Sequence, residues 1–577
     1  MDKEQLEHYR HSLAHLLAAA VMELWPDTKR TIGPAIDDGF YFDFAFSKPI
    51  SVEDLPKIEA KMREILPSWT SFERSELSAD DAKKEYPGNE FKHELIDQFS
   101  SEGQTLTFYK SGDYWDLCRG GHAEGISGAD PGSFKLHKLA GAYWRGDEKN
   151  PQLTRIYGLA FETKAELDAH LTMLEEAHKR DHRKLGAELD LFAFSPLVGS
   201  GLPMFTPKGT IVRKLLEEFV WKLMKPHGYM RVDIPHMAKA ELYKTSGHYN
   251  KFADDIFHVH SKKSEDEFIM KPMNCPHHTQ IFASKPRSYR DLPIRYSEVT
   301  KVYRDENTGQ LAGLSRVRSI TQDDAHIFCT ADQVKQEALN IYDIITKFYA
   351  AFDMPLRIRL SVHDPKNMDK YLGAPETWDN AVATLEGLLK ELGKEYEVGV
   401  GEAAFYGPKI DFIAKDAIGR EWQLATIQLD FNQPERFELE YTDSDGAKKR
   451  PIMIHRAISG SIERFMSVII EHYAGAFPLW LAPVQAILCP VGESHVEFSR
   501  ALAAELDAVG ARVEIDESGD KVGAKIRNAA GAKIPWTLVI GDKEAGGEAF
   551  QIRVFGQEAP LVLDRAGLIA ELKKQVV

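Results

Sequence analysis

Arg304, Glu306, Arg316, Arg318, Gln322, Asp324 and His326 crowd into one stretch, Arg295 to Cys329, of this 577-residue chain. They lie in two β-rich runs around a polar turn. Guanidinium forks match phosphate oxygens and stay charged, so arginines at this spacing suit a polyphosphate. His326 sits late in the second run, where it can join a distant Cys275 and His455 as a three-ligand metal set. Three protein ligands leave a fourth position open for substrate. A core cysteine with two buried histidines is the plain alternative. Further on, Gly460-Ser-Ile-Glu-Arg-Phe465 places a glycine, which lets backbone approach a ligand, ahead of Arg464 on a helix that can carry it towards a γ-phosphate. Surface salt bridges are the competing use of Arg304, Arg316 and Arg464. Phosphate clamps beside an open metal site point to nucleotide chemistry on a small polar substrate.

A second constellation is His11-Ser-Leu-Ala-His15, followed about a hundred residues later by Cys118-Arg-Gly-Gly-His122. Positions i and i+4 share one helix face, so His11 and His15 project together, and Cys118 and His122 approach from a Gly-rich turn. By spacing the four are a zinc set of three histidines and one cysteine. They serve equally as general bases and water-orienting groups in a hydrolytic pocket. Helix-surface histidines and a packed cysteine are the third reading.

The elements that position these groups follow from periodicity. A helix is predicted over about Glu4 to Leu24, then strands and Gly turns, including Gly39–Asp43 and Ala142–Arg145. Leu167, Leu171 and Leu174 recur at helical spacing, and no Gly or Pro interrupts before Gly186, which predicts one connecting helix over Lys164 to Lys184. Ser195–Pro203 reads as a loop. A helix over about Thr210–Pro226 and a strand over Tyr229–Ile234 follow. Ala331–Phe352 reads as helix, Pro355–Val362, Glu402–Phe412 and Gln423–Phe431 as strands, and Ser459–Tyr473 as helix. After Pro478-Leu-Trp-Leu-Ala-Pro483 strands alternate with helices (484–488, 495–508, 513–515, 521–528, 537–540), which predicts an α/β domain.

The length predicts about three to five domains. A net charge of −16 argues against a general nucleic-acid binder, although local patches such as His178–Lys184 decide binding. No apolar run reaches the ~18 residues of a membrane span, and residues 1–30 do not read as a signal peptide. Four scattered cysteines (118, 275, 329, 489) predict a reducing cytosol.

Taken together the motifs resemble the threonyl-tRNA synthetases, across the whole chain. YRDE (303–306) is similar to the second class II synthetase motif and GSIERF (460–465) to the third. The helix before Pro235 resembles the first, which forms the dimer interface in that family. GLPMFTPKG (201–209), KPMNCP (271–276), TQDDAHIF (321–328), FYGPKI (405–410) and MIHRAI (453–458) are family-like stretches. The resemblance implies an α+β multidomain chain. Its expected parts are an editing domain (1–163), a linker helix (164–186), a class II catalytic domain with a largely antiparallel sheet (187–479) and an α/β anticodon-binding domain (480–577). It resembles a short form, natural or trimmed, that starts at the editing helix without the β-grasp domain many relatives carry before it.

The resemblance also implies roles. Arg304 would hold the ATP α-phosphate, Glu306 the adenine amino group, Arg316 and Arg464 the γ-phosphate, and Gln423 a further nucleotide contact. One Zn2+ would sit on Cys275, His326 and His455, with Mg2+ accompanying ATP. Asp324 would accept from the threonine hydroxyl, with Gln322, Tyr406, Gln428 and Met273 around the same pocket. A metal that takes the amino and hydroxyl groups together rejects valine but not serine, since one methyl is worth only ~1–3 kcal/mol. A hydrolytic site for seryl-tRNA is therefore expected, with His11, His15, Lys92, Asp116, Cys118 and His122. The similar alanyl-tRNA editing domains use the HxxxH/CxxxH motif for zinc, so a metal there stays open. Glu544 and Arg553 match base-reading positions for tRNA(Thr).

Two departures stand out. Val554–Pro560 lacks the basic residues of many relatives, which predicts weaker anticodon-arm binding. Phe42 stands where tyrosine is frequent. The expected protein is a cytoplasmic, homodimeric ligase acting on L-threonine, ATP and tRNA(Thr). A synthetase-derived regulator of tRNA-like RNA is the alternative.

Overall fold

The computed structural model describes residues 1–576, which form two compact units, Met1–Glu175 and a second from Glu176 onward. The first unit opens on α1 (Lys3–Leu24), started by a capping box in which Asp2 accepts from the Gln5 N–H and Gln5 accepts from the Asp2 N–H. Its apolar face (Leu13, Leu16, Leu17, Val21) packs on Phe40, Phe42 and Phe44 of β1 (Gly39–Ala45). Next come α2 (Glu90–Ser101) and two strands of a small sheet, β2 (Thr107–Ser111) and β3 (Tyr114–Leu117). The longer strands β4 (Phe134–Tyr143) and β5 (Gln152–Ala160) complete the main sheet, where β5 pairs antiparallel with both β1 and β4. Gly158 of β5 faces Phe40, and a Cβ there would lie 2.3 Å from the ring, so this close strand approach needs glycine.

The single connecting helix expected over Lys164 to Lys184 is two helices, α3 (Lys164–Lys179) and α4 (His182–Glu188). Asp181 leaves helical geometry and its side chain accepts from the Arg183 N–H at 2.8 Å, capping a new helix. No Gly or Pro is needed for that break.

In the second unit α5 (Pro207–Met224) is followed by β6 (Met230–Arg231), shorter than the strand expected over Tyr229–Ile234. Then come α6 (Cys275–Ala283), β7 (Ile294–Tyr303), β8 (Ser319–Cys329), α7 (Val334–Ala350), β9 (Leu356–Val362), α8 (Pro375–Glu391) and β10 (Glu397–Val400). The strands β11 (Lys409–Lys415), β12 (Glu421–Asp430) and β13 (Ile452–Ala457) and the helix α9 (Ile462–His472) finish the core. The expected strand over Glu402–Phe412 begins only at Lys409, because Phe405 and Tyr406 form a turn closed by the Gly407 N–H on the Ala404 carbonyl.

The large sheet has eight strands in the order β6-β7-β8-β13-β12-β11-β9-β10, antiparallel except for the parallel pairs at its two edges. Alternation decides its faces. Ala325 and Ile327 of β8, Ile427 of β12 and Ile454 of β13 join one core with Leu216 and Val220 of α5, Ile341, Ile345 and Phe348 of α7, and Phe465 and Ile469 of α9. The residues between them point the other way, and those are the polar ones.

The chain ends in a five-stranded sheet built from β14 (Ala486–Pro490), α10 (Val496–Ala508), β15 (Val513–Ile515), α11 (Val522–Gly531), β16 (Trp536–Ile540), β17 (Phe550–Val554), β18 (Leu561–Leu563) and α12 (Arg565–Lys574). Its order is β15-β14-β16-β17-β18, parallel at β15/β14/β16 and antiparallel beyond. No helix among the described residues is long and apolar enough to cross a membrane.

Candidate functional site

The polar face of the large sheet floors a cavity of about 580 Å³. Met273, Arg304, Glu306, Arg316, Gln322, Asp324, His326, Tyr406, Gln423, Gln428, His455 and Arg464 all line it. Gln322, Asp324 and His326 lie two residues apart on β8, so they share a face. His326 pairs in register with His455 of β13, which pairs in turn with Gln428 of β12.

Cys275 begins α6, and its Sγ lies within 4.8 Å of a ring nitrogen of each of His326 and His455, all three residues being buried. Neighbours orient each ligand. Asp430 Oδ2 lies 2.8 Å from His455 Nε2, which leaves Nδ1 for a metal. His278 Nδ1 lies 2.7 Å from His326 Nδ1, which leaves Nε2. The Gln433 amide donates to Cys275 Sγ at 3.2 Å, a contact that favours thiolate. Burial pushes the Cys275 thiol well up and holds His326 well below the usual histidine range, so that ring is neutral and keeps a lone pair on one nitrogen. A soft thiol with two imidazoles, each braced from behind, fits Zn2+. His248 adds a buried ring 3.9 Å from Cys275 Sγ.

Asp324 accepts from the Asn274 amide at 3.0 Å, and burial raises its carboxyl. The Tyr406 ring is 5.1 Å from that of His455. Tyr406 is held by a turn packed flat on β12: a Cβ on Gly407 would lie 1.9 Å from the Leu429 carbonyl oxygen, and Gln428 donates to the Gly407 carbonyl at 3.0 Å.

The arginines face the other part of the cavity. Arg304 follows β7; its Nη2 contacts Met273 Sδ at 3.1 Å, and its buried Nε has no hydrogen-bond partner. Burial lowers its pKa from the usual arginine value. An unmatched cationic donor in a cavity suits an anionic oxygen. Arg316 is paired with Glu306 at 2.7 Å. Arg464 lies in the first turn of α9, its N–H capped by Ser461 at 3.2 Å; burial, then the nearby Arg316 charge, lowers its pKa. Gln423 accepts from Arg359 Nη2 at 2.7 Å, so only its amide group is free to donate.

In the first unit His11, His15, Cys118 and His122 offer ligand atoms within 4.8 Å of one another. Cys118 Sγ is 3.5 Å from His11 Nε2, and His122 stacks on His11 at 4.4 Å. Both ring nitrogens of His122 are buried without a partner. Burial drops His122 to about 3, lowers His15 well below its usual value and lifts Cys118 to about 11, so all three are neutral near pH 7. Lys92 of α2 and Asp116 of β3 form a sealed ion pair at 2.8 Å, and Asp116 also accepts from Tyr86 and Tyr114. Phe42 meets His15 edge-on at 6.4 Å.

Glu544 and Arg553 are not joined. Glu544 accepts from the Gly541 N–H at 3.0 Å, whereas Arg553 is exposed on β17 opposite Thr537. Sequence reasoning did not single out His248, His278, Asp430 or Gln433. His277-His278 directly after KPMNCP was a signal that went unused; Asp430 and Gln433 carried none.

The sheet order and the polar cavity are those of a class II tRNA synthetase. Residues 257–473 match the tRNA synthetase class II core domain (G, H, P, S and T), 485–575 the anticodon binding domain, and 106–157 the threonyl and alanyl tRNA synthetase second additional domain. The threonine–tRNA ligase of Deinococcus deserti is 48% identical over 95% of this chain and 84% of its own length. That of Gloeobacter violaceus is 47% identical over 100% of this chain and 93% of its own. A crystal structure of the RNA binding domain of threonyl-tRNA synthetase from Cryptosporidium parvum superimposes with a TM-score of 0.66 at 36% identity, covering 69% of this chain and 98% of that one. The chain belongs to the threonine–tRNA ligase family.

Proposed function

We propose that this chain activates threonine with ATP, transfers it to tRNA(Thr), and hydrolyses mischarged seryl-tRNA(Thr) in its first unit. The supporting observation is one cavity lined by Arg304, Arg316 and Arg464 and by His326 and His455, whose ring nitrogens group with the Cys275 thiol beneath them. Threonine would lie across the donor set, with Asp324 accepting from its hydroxyl and Met273, Gln322, Tyr406 and Gln428 closing the space around it. Cys275, His326 and His455 would hold Zn2+, which would supply a Lewis acid for the amino and hydroxyl groups of the substrate. Arg304 would orient the α-phosphate for in-line attack by the carboxylate, with ATP entering as its Mg2+ complex, and threonyl-adenylate and pyrophosphate would form. Arg316 and Arg464 would hold the γ-phosphate, Glu306 the adenine amino group and Gln423 a further nucleotide oxygen.

In the first unit the neutral His11, His15, Cys118 and His122 would position water at the seryl ester, with Lys92 and Asp116 beside them. Cys118 and the imidazoles would serve a metal equally well, and elemental analysis separates the two uses. Glu544 and Arg553 would read the anticodon arm. We assign editing to 1–163, the linker to 164–186, activation to 187–479 and anticodon binding to 480–577, in keeping with the matched families. We also propose a cytoplasmic homodimer joined through the catalytic region. The short edge strand β6, with Met230 exposed, and the four free cysteines support this. Arg304, Arg316 and Arg464 all line the cavity, which favours a ligase over an RNA-binding regulator.

The deciding experiment is amino-acid-dependent ATP–pyrophosphate exchange on purified protein. Exchange with threonine and serine but not valine is expected. Equal exchange with valine would remove the hydroxyl-recognition argument.

A further inference from the structure

The linker carries a histidine that the proposed function leaves unused. His182, the first residue of α4, is buried. Its Nδ1 lies 2.6 Å from Glu471 Oε1 on α9, and its backbone N–H donates to the same oxygen at 3.0 Å. Arg420 Nη1 holds Glu471 Oε2 at 2.6 Å. On its other side the imidazole meets the turn between β7 and β8: the Leu314 N–H donates to His182 Nε2 at 3.0 Å. That contact fixes the tautomer. Nε2 must be the acceptor, so Nδ1 carries the proton and donates to Glu471.

The turn is fitted to the ring. Gly313 has φ +53°, and a Cβ there would lie 2.2 Å from His182 Nε2. Leu314 is fully buried, and the Ser315 hydroxyl donates to Ser467 Oγ of α9 at 3.0 Å. Arg316 follows at once, and Arg464 stands one turn before Ser467 on the same helix.

We infer that His182 is a positioning residue for nucleotide binding: its ring pins the 304–318 turn to α9 and so sets the separation of Arg316 and Arg464. This rests on the reading that those two arginines grip the ATP phosphates. An imidazole does this well because one rigid ring offers an acceptor to the turn and a donor to the helix. Losing it frees the turn without touching the donor set on the sheet.

The test compares His182→Phe, which keeps a ring but neither hydrogen bond, with His182→Gln, whose carbonyl and amide groups restore an acceptor and a donor. His182→Phe is expected to raise the KM for ATP in threonine-dependent exchange about tenfold or more, the scale of one or two lost hydrogen bonds. The threonine Kd by calorimetry without ATP, and seryl-tRNA deacylation, are expected to stay at wild-type values. His182→Gln is expected to recover most of the ATP effect. Gly313→Ala, which crowds the same contact from the turn, is expected to reproduce the ATP effect and guards against a misfolded His182 variant. A wild-type KM for ATP in both His182→Phe and Gly313→Ala would overturn the inference. So would losses of ATP and threonine binding in equal measure, or a glutamine variant no better than phenylalanine. Wild-type protein without any threonine-dependent exchange would instead overturn the functional reading beneath it.

Discussion

Glu306 and Arg316 are bound to each other, with Glu306 Oε2 accepting from Arg316 Nε at 2.8 Å and from Nη2 at 2.7 Å. The proposed function sends them to opposite ends of ATP, so nucleotide binding has to exchange one pair for two contacts. The Arg316 side chain is 49% exposed, and such pairs are worth only ~0–1 kcal/mol, so opening costs little. Arg316→Ala is expected to raise the KM for ATP about 10- to 100-fold, from loss of a charge-assisted contact worth about 1.5–3 kcal/mol. Glu306→Gln is expected to weaken ATP binding by a similar factor. Steady-state exchange against ATP concentration reads both, and an unchanged KM in either would remove that residue from the nucleotide site.

Cys275→Ala is expected to bring bound zinc from one per chain to near zero and to abolish threonine-dependent exchange, while seryl-tRNA deacylation continues. Metal analysis and the two activity assays on one preparation check this. If deacylation fell as well, the two units would not be working independently. Gln433→Ala removes only the amide at the thiol and is expected to weaken zinc about 10- to 100-fold, the usual scale for a group behind a ligand. Chelator titration followed by mass spectrometry gives that number.

The Tyr406 turn offers a separation between the two substrates. Gly407→Ala would press a methyl on the Leu429 carbonyl and lift the turn from β12. Misplacement by about 1 Å can cost ~10²-fold in rate. The expected result is loss of threonine-dependent exchange through KM for threonine, with ATP binding unaltered. A matched loss of both would mean that the sheet itself had moved.

Asp116 stands between two cations, Lys92 at 2.8 Å and Arg30 at 3.5 Å. Removing one partner of a buried pair costs about 3–5 kcal/mol. Asp116→Ala leaves two cations facing each other and is expected to destabilise the first unit by at least that much. Lys92→Met leaves the Arg30–Asp116 pair in place and is expected to cost less. Urea denaturation gives the order, and a reversed order would show that Arg30 does not share the carboxylate.

Much of the candidate site was legible because its residues sit in short stretches with strand alternation. Gln322, Asp324 and His326 declare a common face by spacing alone. Their partners across strands were not fixed by spacing, since register between β8, β13 and β12 is set by turns and packing far from the pairs; residue type offered Cys275 and His455 only as distant candidates, and the family resemblance supplied Gln428. His278, Asp430 and Gln433 stayed hidden because a residue that braces a ligand looks like any polar residue until the fold is known. The break before α4 was missed since the reading waited for Gly or Pro, although Asp181 is a strong capping residue. The helix α8 went unread despite Pro375 at its start and Trp378, Ala381, Leu385 and Leu388 at helical spacing, and the turn at Phe405-Tyr406 was read through as strand.

The register match of His326 with His455 lies near the middle of the eight-stranded sheet, whereas Arg316 rides on the turn between two strands. On the proposed function, amino-acid choice rests on the frame of the sheet, and nucleotide binding rests on a connecting turn tied down by His182. Deuterium should linger longest on the amides of His326 and His455 and leave sooner along the 304–318 turn. Such a division would let one substrate be measured against a fixed gauge while the other is held by contacts that can be exchanged, as between Glu306 and Arg316.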